Sequence, residues 1–105
     1  MSCYFIAQIK IKDTKKYQKY LDKAGEVFKR YKGEYLVVED SPEVLEGTWN
    51  CTRTVVIRFN SNKDLKAWYN SEEYQEILKL RLNASECNTI IANGLNRDKK
   101  KKNKS

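Results

Sequence analysis

Between Lys12 and Tyr17 the spacing of apolar residues changes, and that change limits the fold more than any other feature of the chain. Cys3 to Lys12 alternates: Phe5, Ala7, Ile9 and Ile11 form one apolar set, and Tyr4, Ile6, Gln8 and Lys10 a mixed one. A period of two predicts a strand with one face on a core and another that starts apolar and turns polar. From Tyr17 onward, Tyr20, Leu21, Ala24, Val27, Phe28 and Tyr31 recur at spacings of three and four, which predicts a helix. Asp13 is placed to cap its start, Lys29, Arg30 and Lys32 suit the dipole at its end, and Gly33 stands where a C′ glycine belongs. Gly25 lies inside it at a cost of about 1 kcal/mol relative to Ala; close approach of this helix to a sheet is the expected reason.

The rest of the chain alternates between the same two periods. Glu34 to Glu39 reads as a strand, broken by Asp40-Ser41-Pro42. Val44 to Trp49 is expected to continue along the sheet edge as a bent or bulged strand. Arg53 to Phe59 is a third strand, with Arg53, Val55, Ile57 and Phe59 on one face and Thr54, Val56 and Arg58 on the other. Two helices follow. Ser61 precedes Asp64 by three, a capping-box-like start, and Leu65, Trp68 and Tyr69 keep helical spacing. Ser71 caps the second, whose first turn carries Glu72 and Glu73 and whose apolar stripe is Tyr74, Ile77, Leu78 and Leu82. Asn88 to Gly94 is the last strand. The order predicts an α+β, ferredoxin-like βαββαβ domain: a four-stranded antiparallel sheet with its helices on one face. The other face then needs a cover, and a second copy of the chain is the economical one.

The formal charge of +7 is a property of one end rather than of the domain. Residues 96–105 hold six cations and one acid, leaving 15 cations against 13 acids, or +2, for residues 1–95. The chain is thus divided into a domain over 1–95 and a lysine-rich tail over 96–105, expected to be disordered. Weak, salt-sensitive attraction of the tail to nucleic acid is the functional alternative, but no aromatic residue interleaves the lysines. No apolar run approaches the roughly 20 residues of a membrane span. Charge enters the first residues too early for a signal peptide, so a cytoplasmic location is expected. The three cysteines, Cys3, Cys51 and Cys87, form no CxxC pair, and there is no histidine. No metal site, no cofactor and no histidine-based triad is therefore expected, and the thiols should be reduced.

Arg81 is the most informative single residue. It lies seven after Tyr74, four after Ile77 and three after Leu78, on the face that should be buried. A buried guanidinium needs a carboxylate, a ring of oxygen acceptors or an anionic ligand. It either snorkels to water or joins a structural ion pair, or it anchors a ligand. Tyr17, Tyr20 and Tyr31 on one helical face leave a similar choice between rim packing, with each hydroxyl reaching water, and a pocket lined by phenols.

A run of residues resembles a known family. It comprises Tyr4-x-Ile6-x-x-Ile9-x-Ile11-x-Asp13, Tyr17-x-x-Tyr20, Gly33, Leu45-Glu46-Gly47 and Arg53-x-Val55-Val56-Ile57-x-Phe59-x-Ser61. It continues through Ala67-Trp68-Tyr69-x-Ser71-x-Glu73-Tyr74-Gln75 to Arg81 and Gly94. Together these are similar to the domain of unknown function 1330 family, within the dimeric alpha–beta barrel superfamily. The Trp-Tyr-x-Ser-x-x-Tyr-Gln run with its following arginine is the most specific part. Asn60 stands where the family usually has proline, and the lysine tail lies outside the pattern. The resemblance implies a homodimer whose two sheets close into a barrel. It implies no one activity, because relatives in the superfamily range from cofactor-less monooxygenases and isomerases to haem-degrading and stress-responsive proteins.

Two functional readings follow. In the first, a small organic molecule, a carboxylate-bearing one among the candidates, binds in the cleft between sheet and helices, lined by Tyr17, Tyr20, Arg53, Trp68, Tyr69, Ser71, Tyr74 and Arg81, with Glu46 beside them. Arg81 or Arg53 would hold a carboxylate or enolate oxygen and Glu46 or a tyrosine would move a proton, as in an isomerase or a cofactor-less oxygenase. In the second, the dimer is a non-catalytic binding or interaction protein and the same residues form a structural Glu–Arg network. Binding of RNA by the sheet is disfavoured, since the third strand lacks the glycine-aromatic signature of such sheets.

Overall fold

The computed structural model describes residues 2–95. The expected lysine tail lies outside the described residues. Seven elements follow in order: β1 (Cys3–Ile11), α1 (Thr14–Arg30), β2 (Glu34–Glu39), β3 (Arg53–Phe59), α2 (Asn62–Tyr69), α3 (Glu72–Ala84) and β4 (Ser85–Asn93). The strands form one antiparallel sheet in the order β2-β3-β1-β4. The fold is the ferredoxin-like α+β arrangement that the two periods predict.

Each helix starts where a side chain can satisfy free backbone donors. Asp13 accepts from the Lys16 amide at 3.0 Å, Ser61 from Asp64 at 3.1 Å and Ser71 from Tyr74 at 3.1 Å. The Ser71 hydroxyl also donates to the Trp68 carbonyl at 2.8 Å, so one serine joins the end of α2 to the start of α3. At the end of α1 the Lys32 amide bonds to the Lys29 carbonyl and the Gly33 amide to the Phe28 carbonyl, the paired bonds of a Schellman motif. The left-handed residue of this motif is Lys32, at φ 63°, and not Gly33. Gly33 is required for space. A Cβ there would lie 2.5 Å from the Phe28 ring and 2.9 Å from Phe59. Gly25 is the reverse case: a Cβ would meet nothing within 4 Å, so close approach to the sheet does not explain it.

The core lies between the sheet and the helices. Cys3, Phe5, Ala7 and Ile9 of β1 and Val55, Ile57 and Phe59 of β3 meet Tyr17, Tyr20, Val27 and Phe28 of α1, together with Leu65, Trp68, Tyr74 and Leu78 from α2 and α3. Trp68 is central, with ring centroids 4.2 Å from Tyr74, 5.1 Å from Phe5 and 5.3 Å from Phe59.

Three expectations about elements are corrected. Val44 to Trp49 forms no strand but part of an exposed loop, with Leu45 88% exposed. β2 already pairs with β3 up to Glu39 opposite Thr54, and the chain must turn back to begin β3. A bulge exists, but it lies within β2 between Tyr35 and Val37. Leu82 leaves the apolar stripe of α3 and is 57% exposed; Arg81 and Ala84 take the buried positions. β4 begins at Ser85 rather than Asn88, pairing Ser85 with Ile11 directly after α3. Ser-Glu-Cys carries no alternation to mark those first residues.

The sheet face away from the helices has no layer over it among the described residues. Cross-strand register aligns Val37, Val56, Ile6 and Ile90 in one row across all four strands. The row on one side is polar, Glu39, Thr54, Gln8 and Asn88, and the row on the other is mixed, Glu34, Arg58, Tyr4 and Ala92.

Candidate functional site

α3 carries Arg81 into the layer between helices and sheet. The residue is 2% exposed, so it does not snorkel. Among the described residues no carboxylate lies within ion-pair distance of it, so none of them forms the structural ion pair. Its Nε is buried with no hydrogen-bond partner. What surrounds the charge is aromatic: the guanidinium carbon lies 5.8 Å from the ring centroids of both Phe5 and Tyr20. Such contacts contribute about 0.5–2 kcal/mol each, less than the several kcal/mol that burying an unpaired ion costs. Burial alone would push the Arg81 pKa down. The Tyr74 and Tyr20 phenols, with Cys87 and Tyr69, push the net above its ordinary value, so the group stays cationic.

The phenols form a connected set. Tyr20 and Tyr74 share a hydrogen bond of 2.6 Å between their hydroxyls, and Tyr17 packs on Tyr20 at 5.6 Å. Burial is the first cause of a raised pKa at all three; at Tyr20 the neighbouring Tyr74 adds to it, and at Tyr17 the neighbouring Tyr20. Tyr74 is pushed up to about 12. At neutral pH these groups are hydrogen-bond donors and not bases. Arg53 stands at the other end of the set, its guanidinium 5.7 Å from the Tyr17 ring and bonded to Asp40 at 2.9 Å. The Arg53 Nε is likewise buried without a partner.

A cavity of about 20 Å³ opens between these groups. That is room for one water-sized body. Of the residues expected to line a cleft, Tyr17, Tyr20, Arg53 and Arg81 do so. Tyr69 lines a separate, larger cleft of about 400 Å³ between α2 and β4. Trp68 and Tyr74 are core residues behind the cavity, Ser71 is the cap of α3, and Glu46 lies on the exposed loop. Phe5, Leu21 and Tyr35 line the cavity and were not among the expected residues. Tyr35 was within reach of the sequence: it pairs with Ile57, so it shares the core-facing side of the sheet. Among the described residues no carboxylate lines the cavity.

The model of a protein family, the domain of unknown function DUF1330, matches residues 2–95. The chain belongs to the DUF1330 family. No curated protein matches it by sequence. Among solved structures, this DUF1330 chain is similar to a protein of unknown function from Rhodopseudomonas palustris: TM-score 0.76 at 16% identity, over 90% of this chain and 82% of that one. It is also similar to a cofactor-independent oxygenase from Streptomyces nogalater, at TM-score 0.65 and 8% identity, covering 90% and 93%. A dimeric protein of unknown function with a ferredoxin-like fold from Bacteroides fragilis gives 0.54 at 12% identity, covering 89% and 96%. At these identities the likeness is one of fold.

Proposed function

We propose that this DUF1330 protein is a symmetric homodimer that binds a small organic acid at Arg81, between sheet and helices. The observation that carries the reading is a buried arginine with aromatic walls, no carboxylate partner among the described residues and an unpartnered Nε. A bound carboxylate would neutralise the charge and accept that N–H, with the phenols available as further donors. Arg53, already paired with Asp40, is the lesser anchor.

Two observations support the dimer. The uncovered sheet face carries the apolar row Val37, Val56, Ile6 and Ile90, which a two-fold axis would set against its own copy. The similar Bacteroides fragilis protein is described as dimeric.

Binding ranks ahead of catalysis for a chemical reason. Proton abstraction needs an acceptor, and among the described residues the cavity lining offers neither carboxylate nor histidine, while the phenols are held protonated. Glu46, the acid weighed for that role, is on the exposed loop. The oxygenase reading rests on likeness of fold to the Streptomyces nogalater enzyme and would require the substrate to supply its own electrons and base.

The test is calorimetric titration of the full chain with carboxylic acids, beside Arg81→Met and Arg81→Lys. Arg81→Met should lose binding and Arg81→Lys should weaken it, with both variants retaining the wild-type circular dichroism spectrum. Equal binding by Arg81→Met would overturn the assignment.

A further inference from the structure

The two hollows on the helix side of the sheet share one wall. Phe5 of β1 lines both the small Arg81 cavity and the open α2–β4 cleft. The Arg81 guanidinium stacks over its ring from one side. Tyr69, 6.1 Å from Phe5 between ring centroids, lines the cleft.

The sizes of the two hollows are complementary. About 20 Å³ at Arg81 admits a carboxylate oxygen but no molecular body. About 400 Å³ between α2 and β4 falls within the range of small-molecule sites. Its walls are Phe5, Leu65, Tyr69, Thr89 and Ile91, and Lys66 on its lining is exposed. Among the described residues no acidic side chain lines either hollow, so none of them repels an anion there.

We propose that the α2–β4 cleft is the outer compartment of the Arg81 site, and that the ligand is an organic monocarboxylate with an extended apolar body. The carboxylate passes Phe5 to reach Arg81, and the body lies along Leu65, Tyr69 and Ile91. This rests on the reading of Arg81 as an anion anchor and adds the class of acid: amphipathic rather than small and polar. Inorganic anions and acetate satisfy only the inner compartment and bind weakly.

Titration of the full chain with straight-chain carboxylates, from acetate through butyrate and hexanoate to octanoate, tests this. Affinity should rise about fourfold per added methylene, the gain for burying each one. Thr89→Trp fills the cleft and Ile91→Glu places an acid on its exposed wall; both should flatten the series. Arg81→Met should weaken every member of it. Ile91 is at the edge strand and half-exposed, so Ile91→Glu should fold even if Thr89→Trp does not. A wild-type series that is flat, or one that climbs equally in both cleft variants, removes the outer compartment. If Arg81→Met still weakens all the acids in that case, the anchor stands without it. If Arg81→Met changes none of them, the anchor falls as well. A dimer that dissociates in Ile91→Glu while the series stays steep would assign the cleft to a second copy of the chain instead.

Discussion

Arg81 is where the chain gives up stability. An unpaired buried cation is a cost, and replacing buried ions with apolar side chains of similar volume is often neutral or stabilising by about 1–4 kcal/mol. Arg81→Met should therefore raise the free energy of unfolding of the ligand-free protein, by chemical denaturation, in the same variant that loses binding. Lower stability would mean that the charge has a structural partner. The buried phenols make a second prediction at this scale. Tyr17, Tyr20 and Tyr74 have folded pKa values raised above the unfolded value near 10. Their contribution is full below that value and is lost as pH rises through the folded values. Stability should fall above about pH 10, by about 1.4 kcal/mol per pH unit for each tyrosine titrating only in the unfolded state. Melting temperatures from pH 8 to pH 12 would show it; a flat profile would mean the phenols ionise freely.

Within elements, the glycines of α1 and its end make opposite predictions. Gly25 has open space at its Cβ, so Gly25→Ala should add about 1 kcal/mol of stability. At Gly33, where a Cβ would overlap Phe28, Gly33→Ala should cost about 1–3 kcal/mol through forced movement of that ring. Urea denaturation of the pair reads both signs. Caps and periods were legible in the sequence because they are local: Asp13, Ser61 and Ser71 each bond to an amide three residues on. The extra residues of β4 were not, since Ser85 to Cys87 form strand only because β1 offers them partners.

For the whole molecule, the proposed dimer turns on the uncovered sheet face. Its apolar row is flanked by rows containing Glu34, Arg58, Gln8 and Asn88, a pattern that favours burial at the centre and hydration at the rim. Val56→Lys should shift the protein from twice the chain mass to the monomer mass in light scattering, because two symmetry-related lysines would then oppose each other in a desolvated layer. A variant that stays dimeric would place the interface elsewhere.

The order of elements, the faces of β1, β3 and α1, the helix caps and the place of Arg81 on the inward face of α3 were legible in the sequence, though not whether its side chain stays buried or snorkels out. All of these follow from periods and contacts within a few residues. What meets Arg81 is settled by contacts between distant segments. Strand pairing between segments far apart in sequence brings Phe5 and Tyr35 to the cavity, and the turn between β2 and β3 carries Glu46 out to solvent. Whether a buried charge finds a carboxylate depends on those long-range neighbours, and no local period records them.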